Sequence, residues 1–270
     1  MQSRLNYYWR LLATGLSFIL FALGGALLSI LLLSVTYLAP VGHFRKAASI
    51  RWMISFSFRF FIAYLRGMGL ISYEIHGREN IKPRGQLLIA NHPSLLDVVF
   101  LISLIKQADC VVREDLCRSV LTGGPVRAAR YIRSDSEQIA LESVQSLNEG
   151  NSLIIFPEGT RSNPGQPLKF HRGASHIALM AKKNITPVLI RCQPATLLKN
   201  EKWYHIADQA PHFTLMIFPE MPIDAYLCSD EMQSKKARAL NRTLESFFSE
   251  RLASPYPSHP LSPCGTQIPR

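Results

Sequence analysis

The sequence predicts an α/β fold with a mixed, largely parallel sheet flanked by helices, preceded by an N-terminal membrane helix and an interfacial helix. Three observations support it: an uncharged apolar stretch near the N-terminus, a following segment that alternates basic and aromatic residues, and short apolar runs separated by helical stretches from residue 74 onward. A chain of 270 residues has room for one such domain and an appendage.

The apolar stretch runs from Leu11 to about Leu38 without a charge, which exceeds the roughly 20 residues that a helix needs to cross a bilayer. A cleaved signal peptide would have an apolar region of only about 7 to 15 residues. We therefore expect residues 1–42 to be a retained anchor. Arg4 and Arg10 precede it and three basic residues follow, which favours a cytoplasmic catalytic domain at a bacterial inner membrane only slightly.

Residues 43–73 place basic side chains such as Arg51 and Arg59 among aromatic ones such as Trp52, Phe56 and Phe60. This pattern is typical of a helix that lies at the lipid headgroups. A helix packed on the globular domain or on the first helix would give the same pattern, so both interpretations stay open.

Residues 74–252 are expected to form the globular domain, and residues 253–270, rich in Pro and Ser, a disordered tail. The predicted strands are Gln86–Ala90, Cys110–Val112, Tyr131–Ile132, Leu153–Phe156, Val188–Arg191 and Phe213–Phe218. The predicted helices run from Ser134 or Asp135 to Leu147, from Arg172 to Lys183, and from Ser229 or Asp230 to about Leu252.

The composition limits the choice of partners. Thirty Lys and Arg against 19 Asp and Glu give a net charge of +11, which favours an anionic partner. The basic residues are scattered, and no nucleic-acid-binding motif is present, so we expect a membrane and no nucleic acid. The five cysteines are far apart and lack a CxxC pair, so they predict reduced thiols and no metal site.

The first candidate motif, Asn91 to Asp97, follows the predicted strand Gln86–Ala90 directly. Pro93 suits the first position of a helix, which places His92 on a strand-to-helix turn and Asp97 just over one turn inside the helix. A carboxylate held on one ring nitrogen leaves the other free to act as a base. Alone, the pattern is weak, since a turn histidine with a surface carboxylate would look the same.

The second motif, Phe156 to Ser162, also lies at the carboxyl end of a predicted strand, so both motifs are expected to border one crevice. Gly159 would let the backbone approach a ligand, and Arg161 offers a planar fork for phosphate. Glu158 could orient Arg161 or bind a hydroxyl group. The competing interpretation is a plain glycine turn with a surface ion pair.

These two blocks resemble those of the glycerolipid acyltransferase family, typified by 1-acylglycerol-3-phosphate acyltransferases, and the resemblance covers roughly residues 73–220. It implies that His92 and Asp97 are catalytic. It also implies a substrate-binding role for Glu158, Gly159, Thr160, Arg161, Arg133 and Lys169.

The resemblance is less regular elsewhere. Arg127 and Arg130 blur the family's glycine and aromatic spacing before Arg133, which would hold the acceptor phosphate. The family's fourth block reads Ile185 to Ile190, with Pro187 where a central strand would avoid it.

The resemblance implies a membrane-bound O-acyltransferase that converts 1-acylglycerol-3-phosphate to phosphatidic acid. The acyl donor would be acyl-coenzyme A or acyl carrier protein, with no cofactor and no metal. Alternatives are another acceptor, such as an aminoacyl lipid or a specialised polyene lipid, or a non-catalytic lipid-binding protein. A hydrolase is disfavoured because the chain has no Gly-x-Ser-x-Gly motif.

Overall fold

The computed structural model describes residues 2–38, 43–119, 123–162, 166–198, 201–229 and 231–254. Its longer helices are α1 (Gln2–Leu38), α2 (His43–Gly67), α3 (Asp97–Leu104), α6 (Ile139–Asn148), α7 (Gly173–Ala181) and α9 (Gln233–Ala253). Three short helices are α4 (Glu114–Arg118), α5 (Gly123–Ala128) and α8 (Asp224–Leu227). Of the predicted tail, residues 253–270, the part from residue 255 onward lies outside the described residues.

The strands form one seven-stranded sheet in the order β1-β7-β6-β2-β5-β3-β4. They are β1 (Ser72–His76), β2 (Leu87–Ala90), β3 (Ala108–Val112), β4 (Ile132–Arg133), β5 (Ser152–Ile155), β6 (Ile185–Gln193) and β7 (His212–Ile217). Only the β6–β7 pair is antiparallel, so the predicted mixed, largely parallel sheet is confirmed.

Each face of the sheet carries its own hydrophobic core. Along β2, Leu88 and Ala90 contribute to the core beneath α2 and α3, while Leu87 and Ile89 contribute to the core beneath α7 and α9. All four side chains are fully buried. A strand buried on both faces needs a continuous apolar run, which explains why β2 could be predicted from the sequence.

Pro187 lies in β6, a central strand, although a central strand usually excludes proline. The antiparallel ladder between β6 and β7 ends at the Val188–Ile217 pair. Just beyond it, the carbonyl of Pro187 accepts a hydrogen bond from the backbone N–H of Phe218 at 3.0 Å. The missing N–H of proline therefore falls at the end of the ladder, where it removes at most one hydrogen bond.

Helix α2 is packed on the globular domain, as one of the two interpretations expected, and its position at lipid headgroups stays a prediction. One face packs into the core through Ile50, Ile54 and Ile62. The opposite face exposes an aromatic stripe, which consists of Trp52, Phe56 and Phe60 with exposed fractions of 50, 58 and 64%. The helix is packed on the domain and still presents an apolar surface outward.

Helix α1 also has one face on the protein. The Arg10 guanidinium donates to the backbone carbonyls of Asp208 at 2.7 Å and Gln209 at 3.1 Å, and Phe21 packs against Phe58 and Phe61 of α2. Its stretch Arg4–Leu31 is long and apolar enough to cross a membrane by length and composition. Many of its large apolar side chains are exposed.

Two expected boundaries need correction. Strand β1 was not predicted, and it begins at Ser72, so the expected boundary between residues 73 and 74 falls inside the sheet. The sixth helix begins at Ile139 and not at Ser134 or Asp135. The reason is that Ser134 still extends the sheet edge, where its N–H donates to the Val112 carbonyl at 2.8 Å.

Candidate active site

The two motifs begin side by side. Strand β2 ends at Ala90 and β5 ends at Ile155, and the two strands pair in parallel with Ile89 opposite Ile155. Their carboxyl ends therefore meet at the same edge of the sheet, where open α/β sheets place ligands. The loops 91–96 and 156–162 face each other across this edge.

His92 and Asp97 form a hydrogen-bonded pair. The distance from His92 Nδ1 to Asp97 Oδ2 is 2.8 Å, and the same oxygen accepts the backbone N–H of Ser94 at 2.7 Å. Because Asp97 accepts at Nδ1, the neutral imidazole carries its proton there and Nε2 is left as the acceptor. Among the described residues nothing hydrogen-bonds Nε2, and 15% of the side chain is exposed.

The expected helix start at Pro93 is wrong. Residues 93–96 form turns, and α3 begins at Asp97 itself. Asp97 thus lies at the first turn of the helix and not one turn inside it, and its carboxylate turns back to meet the N–H of Ser94. This turn back toward Ser94 brings the carboxylate to His92.

The second loop holds the backbone of His92 from both sides. Glu158 Oε1 accepts the N–H of His92 at 2.9 Å and the hydroxyl of Ser162 at 2.9 Å. The N–H of Ser162 in turn donates to the carbonyl of His92 at 2.7 Å. Of the two roles expected for Glu158, orientation of Arg161 is therefore not the one observed; its described partners are His92 and Ser162.

Gly159 occupies a position that only glycine fills without strain. Its φ is +67°, and a Cβ there would lie 3.2 Å from Cδ2 of His171. His171 is itself fastened to the loop, since its N–H donates to the Pro157 carbonyl at 2.7 Å. The ring of Phe156, at the start of the loop, packs on the His92 imidazole with centroids 4.4 Å apart and planes tilted by 31°.

The basic residues that were expected to bind substrate differ in their contacts and in their exposure. The Arg161 guanidinium Nη1 donates to the backbone carbonyls of Leu197 at 2.6 Å and Leu198 at 3.0 Å, in the loop between β6 and β7. Thr160 is half-buried beside it, and Lys169 is exposed before α7. Arg133 lies at the end of β4, paired with Asp135 and Glu114.

Burial sets the electrostatics of the pair. Asp97 is 0% exposed, and desolvation raises the pKa of its carboxyl to about 6 in spite of the hydrogen bond from His92. Its second oxygen, Oδ1, is buried with no hydrogen-bond partner in the described part of the chain. Burial likewise raises the pKa of Glu158. In both cases, loss of solvation on burial disfavours the charged form of the carboxyl group.

Sequence reasoning missed three supporting residues. Asn91 continues the β2–β6 pairing with its side chain, donating to the Ile190 carbonyl at 2.8 Å and accepting the Ile190 N–H at 2.7 Å. Ser94 supplies a backbone donor to Asp97, and His171 contacts Gly159. Asn91 stands next to His92, but side-chain pairing with a strand distant in sequence leaves no local signal.

The segment that contains the sheet and the two strand-end loops resembles known acyltransferases. Residues 72–191 match the family model described as Acyltransferase. That range begins at the first residue of β1 and contains both candidate motifs. This segment of the chain, somewhat under half of its length, is therefore similar to acyltransferases of that family.

Named relatives have the same similarity. The chain is 29% identical over 159 residues to a 1-acyl-sn-glycerol-3-phosphate acyltransferase of Pseudomonas aeruginosa, covering 56% of this chain and 61% of that protein. It is 35% identical over 128 residues to the Limnanthes alba protein of the same name, covering 44% of this chain and 45% of that one. The matched segment thus spans about half to three-fifths of these relatives.

A solved structure shares the fold. The crystal structure of the 1-acyl-sn-glycerophosphate (LPA) acyltransferase from Thermotoga maritima superposes with a TM-score of 0.65 at 18% identity. The match covers 94% of this chain and 100% of that chain, so it extends over the two N-terminal helices as well as the sheet.

Proposed function

We propose that this protein is a membrane-bound O-acyltransferase that transfers a fatty acyl group from an acyl thioester to the hydroxyl of 1-acylglycerol-3-phosphate, forming phosphatidic acid. The observation that carries the proposal is the His92–Asp97 pair, with Nδ1 held at 2.8 Å and Nε2 left without a described partner. The names of the relatives supply the acceptor.

The reaction proceeds by direct transfer. His92 Nε2 accepts the proton of the acceptor hydroxyl while its oxygen attacks the thioester carbonyl carbon. The carbon–sulfur bond then breaks, and the departing thiolate recovers the proton from the imidazolium. Asp97 stabilises the imidazolium between these two events. The scheme uses no acyl-enzyme, no cofactor and no metal.

Glu158 acts in this scheme as a positioning residue. Its carboxylate contacts the backbone N–H of His92 and the Ser162 hydroxyl. Together with the bond from Ser162 to the His92 carbonyl, these contacts fix the backbone from which the imidazole projects. A base held in this way loses little orientational freedom when it takes the proton.

The acceptor phosphate is assigned to Arg161, Arg133 and Lys169. Arg161 now donates to two neutral carbonyl groups, and a phosphate is the stronger acceptor for a guanidinium. Binding would therefore exchange the contacts of Arg161 with Leu197 and Leu198 for contacts with phosphate. Thr160 and Gly159 lie in the same loop and would border the bound headgroup.

The exposed apolar faces of α1 and α2 support a membrane location. Leu23, Leu27 and Ile30 of α1 are more than 60% exposed, as is Phe60 of α2. Such a surface is costly in water and is expected where a protein meets lipid. We assign the domain to the cytoplasmic side of a bacterial inner membrane, where a lipid acceptor could enter from the bilayer.

The test is transfer of a radiolabelled acyl group to 1-acylglycerol-3-phosphate by purified wild type and His92→Ala in detergent. Donors are acyl-coenzyme A and acyl carrier protein, each supplied separately. Product from wild type alone supports the proposal and identifies the donor. Full activity of His92→Ala would refute the mechanism, and no product from either donor would direct the search to other lipid acceptors.

A further inference from the structure

A second basic site lies at the β4 edge of the sheet, in a cavity of about 390 Å³ between α4, α5 and β4. Four arginines line it, accompanied by a single carboxylate. The charged lining residues are Arg118, Arg127, Arg130, Arg133 and Glu114.

The positive charge of this arginine cavity is only partly compensated. Glu114 pairs with Arg118 at 2.5 Å and with Arg133 at 3.3 Å, and Asp135 pairs with Arg133 at 2.6 Å. In the part of the chain that the structure describes, no carboxylate lies within salt-bridge distance of Arg127 or Arg130. Two carboxylates, of which only Glu114 lines the cavity, therefore pair with two of the four guanidinium groups, and a multiply charged anion would complete the site.

The backbone around the cavity is arranged to present these groups. Arg130 adopts a left-handed conformation with φ of 58°, which is unfavourable for a residue with a side chain. Arg127 donates from Nη1 to the Cys117 carbonyl at 2.5 Å, which joins α5 to α4. The left-handed residue Arg130 closes α5, because the N–H of Tyr131 donates to the Val126 carbonyl at 3.1 Å and that of Arg130 to the Arg127 carbonyl at 3.0 Å. The turn thereby brings Arg130 and Tyr131 to the cavity wall.

The position of the cavity indicates which substrate it takes. Strand β4 lies three places from β2 in the sheet, so the strand that precedes His92 is roughly 14 Å away at about 4.8 Å per strand. In 1-acylglycerol-3-phosphate only a few bonds separate the phosphate from the reacting hydroxyl. Of the cavity arginines, the proposed function assigns only Arg133 to that phosphate, and Arg118 is paired with Glu114. Arg127 and Arg130 are then left with neither a described carboxylate nor the acceptor phosphate.

We propose that the arginine cavity binds the diphosphate and 3′-phosphate of an acyl-coenzyme A donor. The long pantetheine arm separates these phosphates from the thioester, so they can occupy the cavity while the carbonyl carbon lies at His92. Acyl carrier protein carries one phosphodiester and would offer an acidic helix to a flat surface, whereas this site is concave. The proposal rests on the proposed function and specifies its donor.

Kinetics of Arg130→Gln and of Arg118→Gln/Arg130→Gln test the site. With palmitoyl-coenzyme A we expect the KM of the donor to rise about 10- to 100-fold, because charged hydrogen bonds are lost, with kcat and the KM of the acceptor nearly unchanged. With palmitoyl-pantetheine, which has no phosphate, the variants should match wild type. Arg113→Gln is the matched control, because Arg113 is an exposed neighbour paired with Asp115 outside the cavity.

Three outcomes would overturn the proposal: an unchanged KM for palmitoyl-coenzyme A, a selective rise in the KM of the acceptor, or a defect only with palmitoyl acyl carrier protein. Calorimetric titration with free coenzyme A separates this proposal from the proposed function. Tight binding by wild type and weak binding by Arg118→Gln/Arg130→Gln would uphold the cavity even if no acyl transfer occurred. Equal binding by both proteins would reject it.

Discussion

Among the residues of the site, Asp97 is fully buried, although its proposed role requires a charged carboxylate. Its carboxylate is fully buried, and one of its oxygens has no described partner. Burial raises the pKa of Asp97 to about 6, so the folded state binds this proton more tightly than the unfolded chain does. The stabilising contribution is complete below the unfolded value and is lost as the pH rises through about 6. At neutral pH the ionised carboxylate therefore costs stability.

Asp97→Asn should separate the two effects. The amide oxygen can still accept from His92 Nδ1 and from the Ser94 N–H, but no charge supports the imidazolium, so kcat should fall about 100-fold or more. The free energy of unfolding at pH 7 should rise by about 1–3 kcal/mol, a gain that disappears near pH 4. Chemical denaturation at both pH values measures this, and a loss of stability at pH 7 would contradict the expectation.

Glu158 allows a test of positioning against direct substrate binding. Glu158→Gln keeps an oxygen that can accept from the His92 N–H and the Ser162 hydroxyl, so we expect kcat within about 3-fold of wild type. Glu158→Ala removes that acceptor and should lower kcat with little change in the acceptor KM. If the carboxylate bound substrate by its charge, both variants would instead raise the acceptor KM.

Among the secondary-structure elements, α2 has two different surfaces on opposite faces. Its inner face fastens the helix to the sheet, and its outer face presents the aromatic stripe of Trp52, Phe56 and Phe60. Residues four positions apart lie on one side of a helix, which makes this stripe continuous. Helix α1 packs beside it through Phe21, so the two helices form one apolar surface.

Fluorescence quenching would locate this surface. A Trp9→Phe/Trp203→Phe protein retains only Trp52, and in vesicles with brominated acyl chains we expect its emission to be quenched. The control adds Trp52→Phe and Leu141→Trp, since Leu141 is 60% exposed on α6, on the other side of the sheet. Quenching of the control as strong as that of Trp52 would exclude a one-sided membrane surface.

For the molecule as a whole, Asp109 on β3 links the two helical layers. Its carboxylate accepts from Arg51 of α2 at 3.0 Å and from the Ser146 hydroxyl of α6 at 2.6 Å. Arg51 also donates to the Ala129 carbonyl at 3.1 Å. The ion pair is almost fully buried, and burial still raises the pKa of Asp109 despite the neighbouring guanidinium.

Arg51→Ala should destabilise the protein by about 3–5 kcal/mol, because it leaves the Asp109 carboxylate buried without its cation. Arg113→Ala breaks the exposed pair with Asp115 and should cost at most about 1 kcal/mol. Thermal unfolding in detergent compares the two variants. Equal destabilisation would mean that the buried pair does not join the layers as described.

The sequence by itself determined the longer helices, six of the seven described strands and the positions of both site motifs, but not the short helices α4, α5 and α8. Fully buried parallel strands such as β2 need unbroken apolar runs, and short polar blocks stand out at their ends. Strand β1 was not predicted because it is an edge strand, half-buried and mixed in composition.

Only the tertiary structure decided the contacts that join residues distant in sequence. The bond from Glu158 to His92 spans 66 positions, and the pairing of Asn91 with Ile190 spans 99. The same holds for the arginine cavity, whose members come from two helices and a strand edge. Local patterns record which face of an element is buried, but the partner on that face is chosen by how the layers pack.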